Sequence, residues 1–270
     1  MGKSKKLIIG LFIVLIFLWI IFPLYLMVKI SISPPQEVLT QHPSFFTAHP
    51  TLKHWREVFR TKMIWQPLGK SLTVAFMAAM VTLSIAVPGA YGISRLPRRW
   101  QIICIMAIFF TRMFPEVGIA LPLAIKFVNW NLIDTNIGLT LVHVIRVLPI
   151  ACWILVGIFQ TIPKDLEEQA LVDGSSKCGV LTKVVLPLSL GGISVAAIFS
   201  WLFSWDEFTY ALYLCLAEPT LPLKVYYYIN RGSWFLTATY ATIITIPVVI
   251  VVYSLQKFLK AGYLAGALKG

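Results

Sequence analysis

Residues 163–188 read PKDLEEQALVDGSSKCGVLTKVVLPL, a polar interval set between two long apolar stretches. Pro163 suits the first turn of a helix, where its missing N–H leaves no bond unmade. Lys164 to Val172 supplies good helix formers, with Asp165, Glu167 and Glu168 near the positive end of the helix dipole. Gly174 ends that helix, Ser175 or Ser176 caps a second, and Pro187 marks the start of the next apolar run. The spacing therefore predicts two short helices joined at a sharp glycine bend. Leu166, Ala170 and Leu171 fall on one side of the first helix, beside its acidic groups. Such a face suits docking into a partner's groove, or a connector lying on lipid headgroups, and composition leaves both open.

Outward from this interval the chain is apolar. Of 270 residues 58% are hydrophobic and 13% charged, with mean hydropathy +0.81, whereas soluble domains are roughly a quarter charged. Crossing a hydrocarbon core of about 30 Å at about 1.5 Å per residue takes about twenty apolar residues in a helix. Six blocks meet that length, so the expected fold class is an all-α membrane protein with six transmembrane helices. They are Leu7–Val28, Ser71–Ser94, Gln101–Ile125 with Arg112 and Glu116 inside, Ile137–Ile162 with His143 and Arg146, Pro187–Ala217, and Gly232–Gln256. The fifth is 31 residues long, about 46 Å as one straight helix, and must tilt, break or project from the bilayer.

The net charge of +12 does not signal nucleic acid, because the 23 Lys and Arg are scattered at block ends with no aromatic-interleaved stripe. With the N-terminus inside, the cytoplasmic segments hold twelve of these, among them Lys3, Arg95, Arg98, Arg99, Lys164 and Lys257, and the outer segments nine. That bias has the positive-inside sign and places both termini in the cytoplasm. The first block exceeds a signal-peptide core and no A-x-A site follows it, so it is expected to remain as a span. Between the first two spans, Leu52, Trp55 and Phe59 at helical spacing predict a short amphipathic helix over Thr51–Arg60 at the outer interface.

Catalytic and metal chemistry finds no support. Gly69-Lys70-Ser71 mimics the end of a phosphate loop, but Ile64 stands where that motif needs glycine and no strand precedes it. Cys104, Cys152, Cys178 and Cys215 form no C-x-x-C pair and read as small packing residues; no H-E-x-x-H or G-x-S-x-G occurs. The chain is therefore expected to be no enzyme and to hold no metal or cofactor of its own.

Glu168-Gln169-Ala170 with Asp173-Gly174, followed by Leu186-Pro187-Leu188, resembles the EAA loop of ABC importer permeases, with Gln169 replacing the middle alanine. Trp205-Asp206-Glu207-Phe208 looks like the W-[ND]-E-F stretch of the carbohydrate-uptake class, the maltose-type inner-membrane permeases. Residues 262–270 (GYLAGALKG) are similar to that class's C-terminal tail, and Thr51 to Phe59 to its loop helix. The resemblance implies the ABC type I importer permease fold. It also implies a coupling helix seated in a cleft of a cytoplasmic ATPase, with Glu168, Ala170, Asp173, Gly174 and Pro187 at coupling positions. Implied partners are a second, related permease subunit, two ATPase subunits that hold ATP and Mg, and an external solute-binding protein. The chain then divides into a first span with its outer loop (1–66), a five-helix core carrying the coupling loop 163–187 (67–258), and a cytoplasmic tail (259–270).

Charges inside the blocks carry the remaining chemistry. Arg112 and Arg146 each lie about 16 Å along their blocks, near the bilayer midplane, where an unpaired Arg facing lipid costs roughly 2.5–3.5 kcal/mol. Both are expected to face the bundle interior or a wet cavity, and Glu116, one turn from Arg112, is expected to pair with it. Two roles stay open: Arg112, Glu116, Arg146, Asp206 and Glu207 line a solute path, with Trp205 and Tyr210 as stacking faces, or these charges pair and lock helices together. The expected cargo is a sugar or related polar metabolite; the runner-up is a polyamine, phosphate ester or peptide, since two buried arginines leave an anionic ligand open. A self-sufficient secondary carrier would leave the EAA-like loop unexplained, and a membrane scaffold would have no solute path.

Overall fold

In lipid each backbone N–H and C=O must be satisfied within its own segment, so apolar blocks wind into helices. A computed structural model describes residues 3–60 and 64–267, and among them there is no strand. In chain order the helices are α1 (Lys3–Ile32), α2 (Pro35–Val38), α3 (Lys53–Arg60), α4 (Trp65–Ser94), α5 (Arg98–Phe110), α6 (Glu116–Asn129) and α7 (Asn136–Gln160). There follow α8 (Lys164–Val172), α9 (Lys177–Val180), a π-helical turn over Leu181–Val185, α10 (Leu186–Trp205), α11 (Thr209–Leu214), α12 (Leu221–Asn230) and α13 (Trp234–Ala267).

Among the described residues five helical runs are long and apolar enough to cross a membrane: Lys5–Ile32, Trp65–Ser94, Asn136–Gln160, Lys177–Trp205 and Trp234–Ser254. The expected third span, Gln101–Ile125, is not one helix. It breaks after Phe110 and resumes at Glu116, giving two pieces of 13 and 14 residues, each about 20 Å long and too short to cross alone. Pro115 causes the restart, since it lacks an N–H and disfavours helical backbone at Phe114. Proline alone is not sufficient, because Pro88, Pro122, Pro149 and Pro247 all lie inside helices.

The fifth span also differs from expectation at its start. Helix begins at Lys177, ten residues ahead of Pro187, and runs to Trp205 without interruption. Pro187 sits in the first turn of α10, directly after the π-helical turn. The altered hydrogen-bond register there accommodates the donor that proline lacks. At the other end the chain breaks at Asp206, as the excess length of this block requires.

By packing, the described residues form two compact units, one from Met1–Pro67 with Leu221–Pro247, the other from Leu68–Thr220 with Val248–Gly270. In the first, α3 forms where the spacing places it, but its buried residues are His54 and Val58, while Phe59 is largely exposed. His54 stacks on Phe235 with ring centroids 4.8 Å apart, and the Trp55 indole N–H donates to Ser31 Oγ at 3.2 Å.

In the second unit α7 packs along α10. Small residues permit that approach: a Cβ at Gly192 would stand 2.3 Å from Ile158 Cδ1. Ala86, Ala90, Ala151, Leu155, Phe159, Val185 and Ala196 fill the core around this seam. Cys152 and Cys215 are buried in packing roles, whereas Cys178 is exposed. Residues 268–270, the end of the expected tail, lie outside the described residues, and the backbone is helical up to Ala267.

Candidate functional site

Two helix interruptions supply the site. The restart at Glu116 begins α6, the break at Asp206 leads into α11, and α11 packs against both α6 and α7. Arg146 projects from α7 between them, its Nε 2.9 Å from Glu116 Oε1 and its Nη1 3.6 Å from Glu207 Oε1. The expected pair of Glu116 with Arg112 is therefore not formed. With the helix broken, the two no longer share a face, and Arg112 instead lies 5.8 Å from the centre of the Phe203 ring.

Glu207 is the buried hub, its side chain fully shielded. It accepts the backbone N–H groups of Tyr210 at 2.7 Å and Ala211 at 3.1 Å, satisfying the free donors at the start of α11. His143, one turn before Arg146, reaches Glu207 Oε2 through Nε2 at 3.2 Å. An ionised carboxylate only accepts, so Nε2 donates to it, and Nδ1 lies 2.7 Å from the Ser204 hydroxyl. Arg146 and Glu116 stay partly open, at 23% and 34% side-chain exposure, and Asp206 is exposed beside them. Tyr210 is buried, and Trp205 is buried with its ring stacked on Trp201 at 5.0 Å. His143 and Ser204 are the members that sequence reasoning did not assign, although each sits three residues before a charged member, Arg146 or Glu207.

Lys70 of the phosphate-loop mimic is engaged elsewhere. Its ammonium donates to the Asp134 carbonyl at 2.7 Å and pairs with Glu218 at 3.4 Å. Asp134 adopts φ +60° and accepts the N–H groups of Ala217 and Glu218, tying the turn before α7 to the segment after α11.

From Pro163 to Ser176 the interval folds as its spacing predicts, whereas the second helix is not short but runs on into α10. Pro163 stands at the N-cap of α8, Gly174 bends the chain at φ +88°, and Ser176 caps α9 by accepting the Gly179 N–H. Asp165, Glu168, Gln169, Val172 and Asp173 line one outward depression on α8. Ala170 packs inward on the core, while Leu166 and Leu171 are exposed. The apolar side expected of all three is thus divided between two surfaces. Glu167 is buried and points the other way from Glu168, toward α4.

Residues 85–264 match the family model described as the binding-protein-dependent transport system inner membrane component. The sulfoquinovosyl glycerol transport system permease protein of Agrobacterium fabrum is 30% identical over 254 residues, covering 93% of this chain and 89% of that protein. The diacetylchitobiose uptake system permease protein of Streptomyces coelicolor is 25% identical over 261 residues, 95% of each chain. Among solved structures, a chain of a bacterial ABC transporter involved in the import of the acidic polysaccharide alginate superposes with TM-score 0.76 at 21% identity, covering 95% of this chain and 98% of that one. The chain belongs to this family: it is a multi-pass inner-membrane permease component of a binding-protein-dependent transport system.

Proposed function

We propose that this permease forms half of the translocation path for a sugar or related polyhydroxyl metabolite in an ATP-binding-cassette importer. The observation that carries the cargo class is the state of Arg146, which is held between two carboxylates. A cation so engaged offers little to an anionic solute, whereas Glu116, partly exposed, and Asp206, exposed, offer acceptors to hydroxyl groups. The relative named for diacetylchitobiose supports a neutral sugar, and the one named for sulfoquinovosyl glycerol, a sulfonated sugar, supports the sugar class alone. In this reading Glu116, Arg146 and Asp206 face the solute. Glu207, Trp205 and Tyr210 hold the wall behind them, and Arg112 lies alongside.

The outward face of α8 then docks with a cytoplasmic ATPase, through Glu168 and Asp173, with Gly174 and Pro187 setting the bend and Ala170 seating the helix. Both termini lie in the cytoplasm. A second homologous permease completes the path, two ATPase subunits hold ATP and Mg, and an external solute-binding protein delivers the cargo. Uptake by the reconstituted complex tests the proposal. Glu116→Gln and Asp206→Asn should each lower uptake of a neutral sugar about tenfold, about 1.4 kcal/mol, with assembly intact. Transport of phosphate esters with neutral sugars inert would overturn the cargo class.

A further inference from the structure

Glu167 and Glu168 are adjacent, yet their side chains take opposite directions. Glu168 lies in the outward depression of α8. Glu167, with a side chain only 10% exposed, turns into the protein and meets Tyr91 of α4 and Arg95, the residue directly after α4, both more than seventy residues earlier in the sequence. Arg95 donates through Nε to Glu167 Oε1 at 2.9 Å and also through Nη2. The Tyr91 hydroxyl donates to Oε2 at 2.8 Å.

The same Arg95 reaches a third helix, donating through Nη1 to the carbonyl of Phe159 on α7 at 2.9 Å. Its guanidinium sits 5.4 Å from the centre of the Tyr91 ring, and Tyr91 meets the fully buried Phe159 edge to face at 6.1 Å. One planar cation thus binds α8, α4 and α7 together, through charge-assisted bonds of the stronger class. The α4 end is itself braced, because Gln101 donates to the carbonyls of Ser94 and Leu96 at 2.9 and 2.8 Å.

The chain offers a softer route out of α8. On its C-terminal side lies Gly174 at φ +88°, followed by two serines and the four-residue α9. Covalent continuity alone would let α8 swing about that bend while the transmembrane helices stayed behind. The Arg95 clasp closes the gap between α8 and α4.

We propose that Glu167 is a positioning residue that carries displacement of α8 directly into α4 and α7 through Arg95, so that the clasp sets how much solute moves per ATP hydrolysed. The proposal rests on the reading of α8 as the ATPase-docking helix. Its test uses the full complex in proteoliposomes with the binding protein, measuring ATP hydrolysis and sugar uptake in the same preparation. Glu167→Gln and Arg95→Gln should each lower uptake per ATP at least fivefold, and the double variant should fall no further than either single. Tyr91→Phe, which leaves the ion pair in place, should lower the ratio about twofold and serves if the charge variants fail to assemble.

An unchanged ratio in assembled Glu167→Gln complex, or in Tyr91→Phe where that variant alone assembles, would overturn the clasp. So would falls in the two single variants that multiply in the double. Failure of any ATPase to copurify with the unsubstituted chain would instead overturn the docking reading on which the clasp rests.

Discussion

The permease has two buried glutamates clasped by arginine, and they are built differently. Around Glu167, one acid meets one cation and one hydroxyl, and the Arg95 donors are further taken up by a carbonyl, so the knot is closed. Around Glu207, a second acid, Glu116, shares the cation Arg146, and the Glu116 side stays open at 34% exposure with Asp206 exposed nearby. A closed knot transmits force; an open one has acceptors left over for a ligand. In the proposed reading the same pair of residue types serves as joint or as binding wall according to how many of its valences neighbours have already filled.

The sharpest way to break the comparison is to remove each acid. Glu207→Ala strands His143 and two backbone N–H groups in a buried place and leaves Arg146 with Glu116 alone, and should cost about 3–5 kcal/mol, read as a large drop in thermal unfolding temperature of the detergent-purified protein. Glu167→Ala should cost less, about 1.5–3 kcal/mol, because Arg95 keeps its Phe159 carbonyl and a side chain already partly exposed. A Glu167 variant as damaging as the Glu207 one would erase the distinction. Gly174→Ala forces a left-handed backbone on an L-residue beside the closed knot and should cost about 1–2 kcal/mol, measured the same way. Ser176→Ala, removing only the α9 cap, should cost about 1 kcal/mol, the smallest effect of the four.

Legibility in the sequence follows range. The stretch 163–176 is readable because Pro163, Gly174 and Ser176 act within one turn of themselves, and the order of apolar blocks is readable for the same reason. The break between Phe110 and Glu116 was not, since proline sits equally in blocks that remain helical, and the misread continuity carried with it the wrong partner for Glu116. The Pro187 start failed because a π-helical turn absorbs a proline that local rules take as a boundary. His143 meets both Ser204 and Glu207 across more than sixty residues, and its spacing of three from Arg146, like that of Ser204 from Glu207, does not by itself announce the meeting.

Gly174 has one more implication. Its backbone sits at φ +88°, yet a Cβ built there would find nothing within 4 Å. The bar to a side chain at this bend is therefore handedness and not room. A mirror-image alanine, introduced by chemical synthesis, should sit there at ease, and among the genetically encoded residues asparagine should be the mildest replacement. The bend has room for a Cβ and disfavours only one chirality.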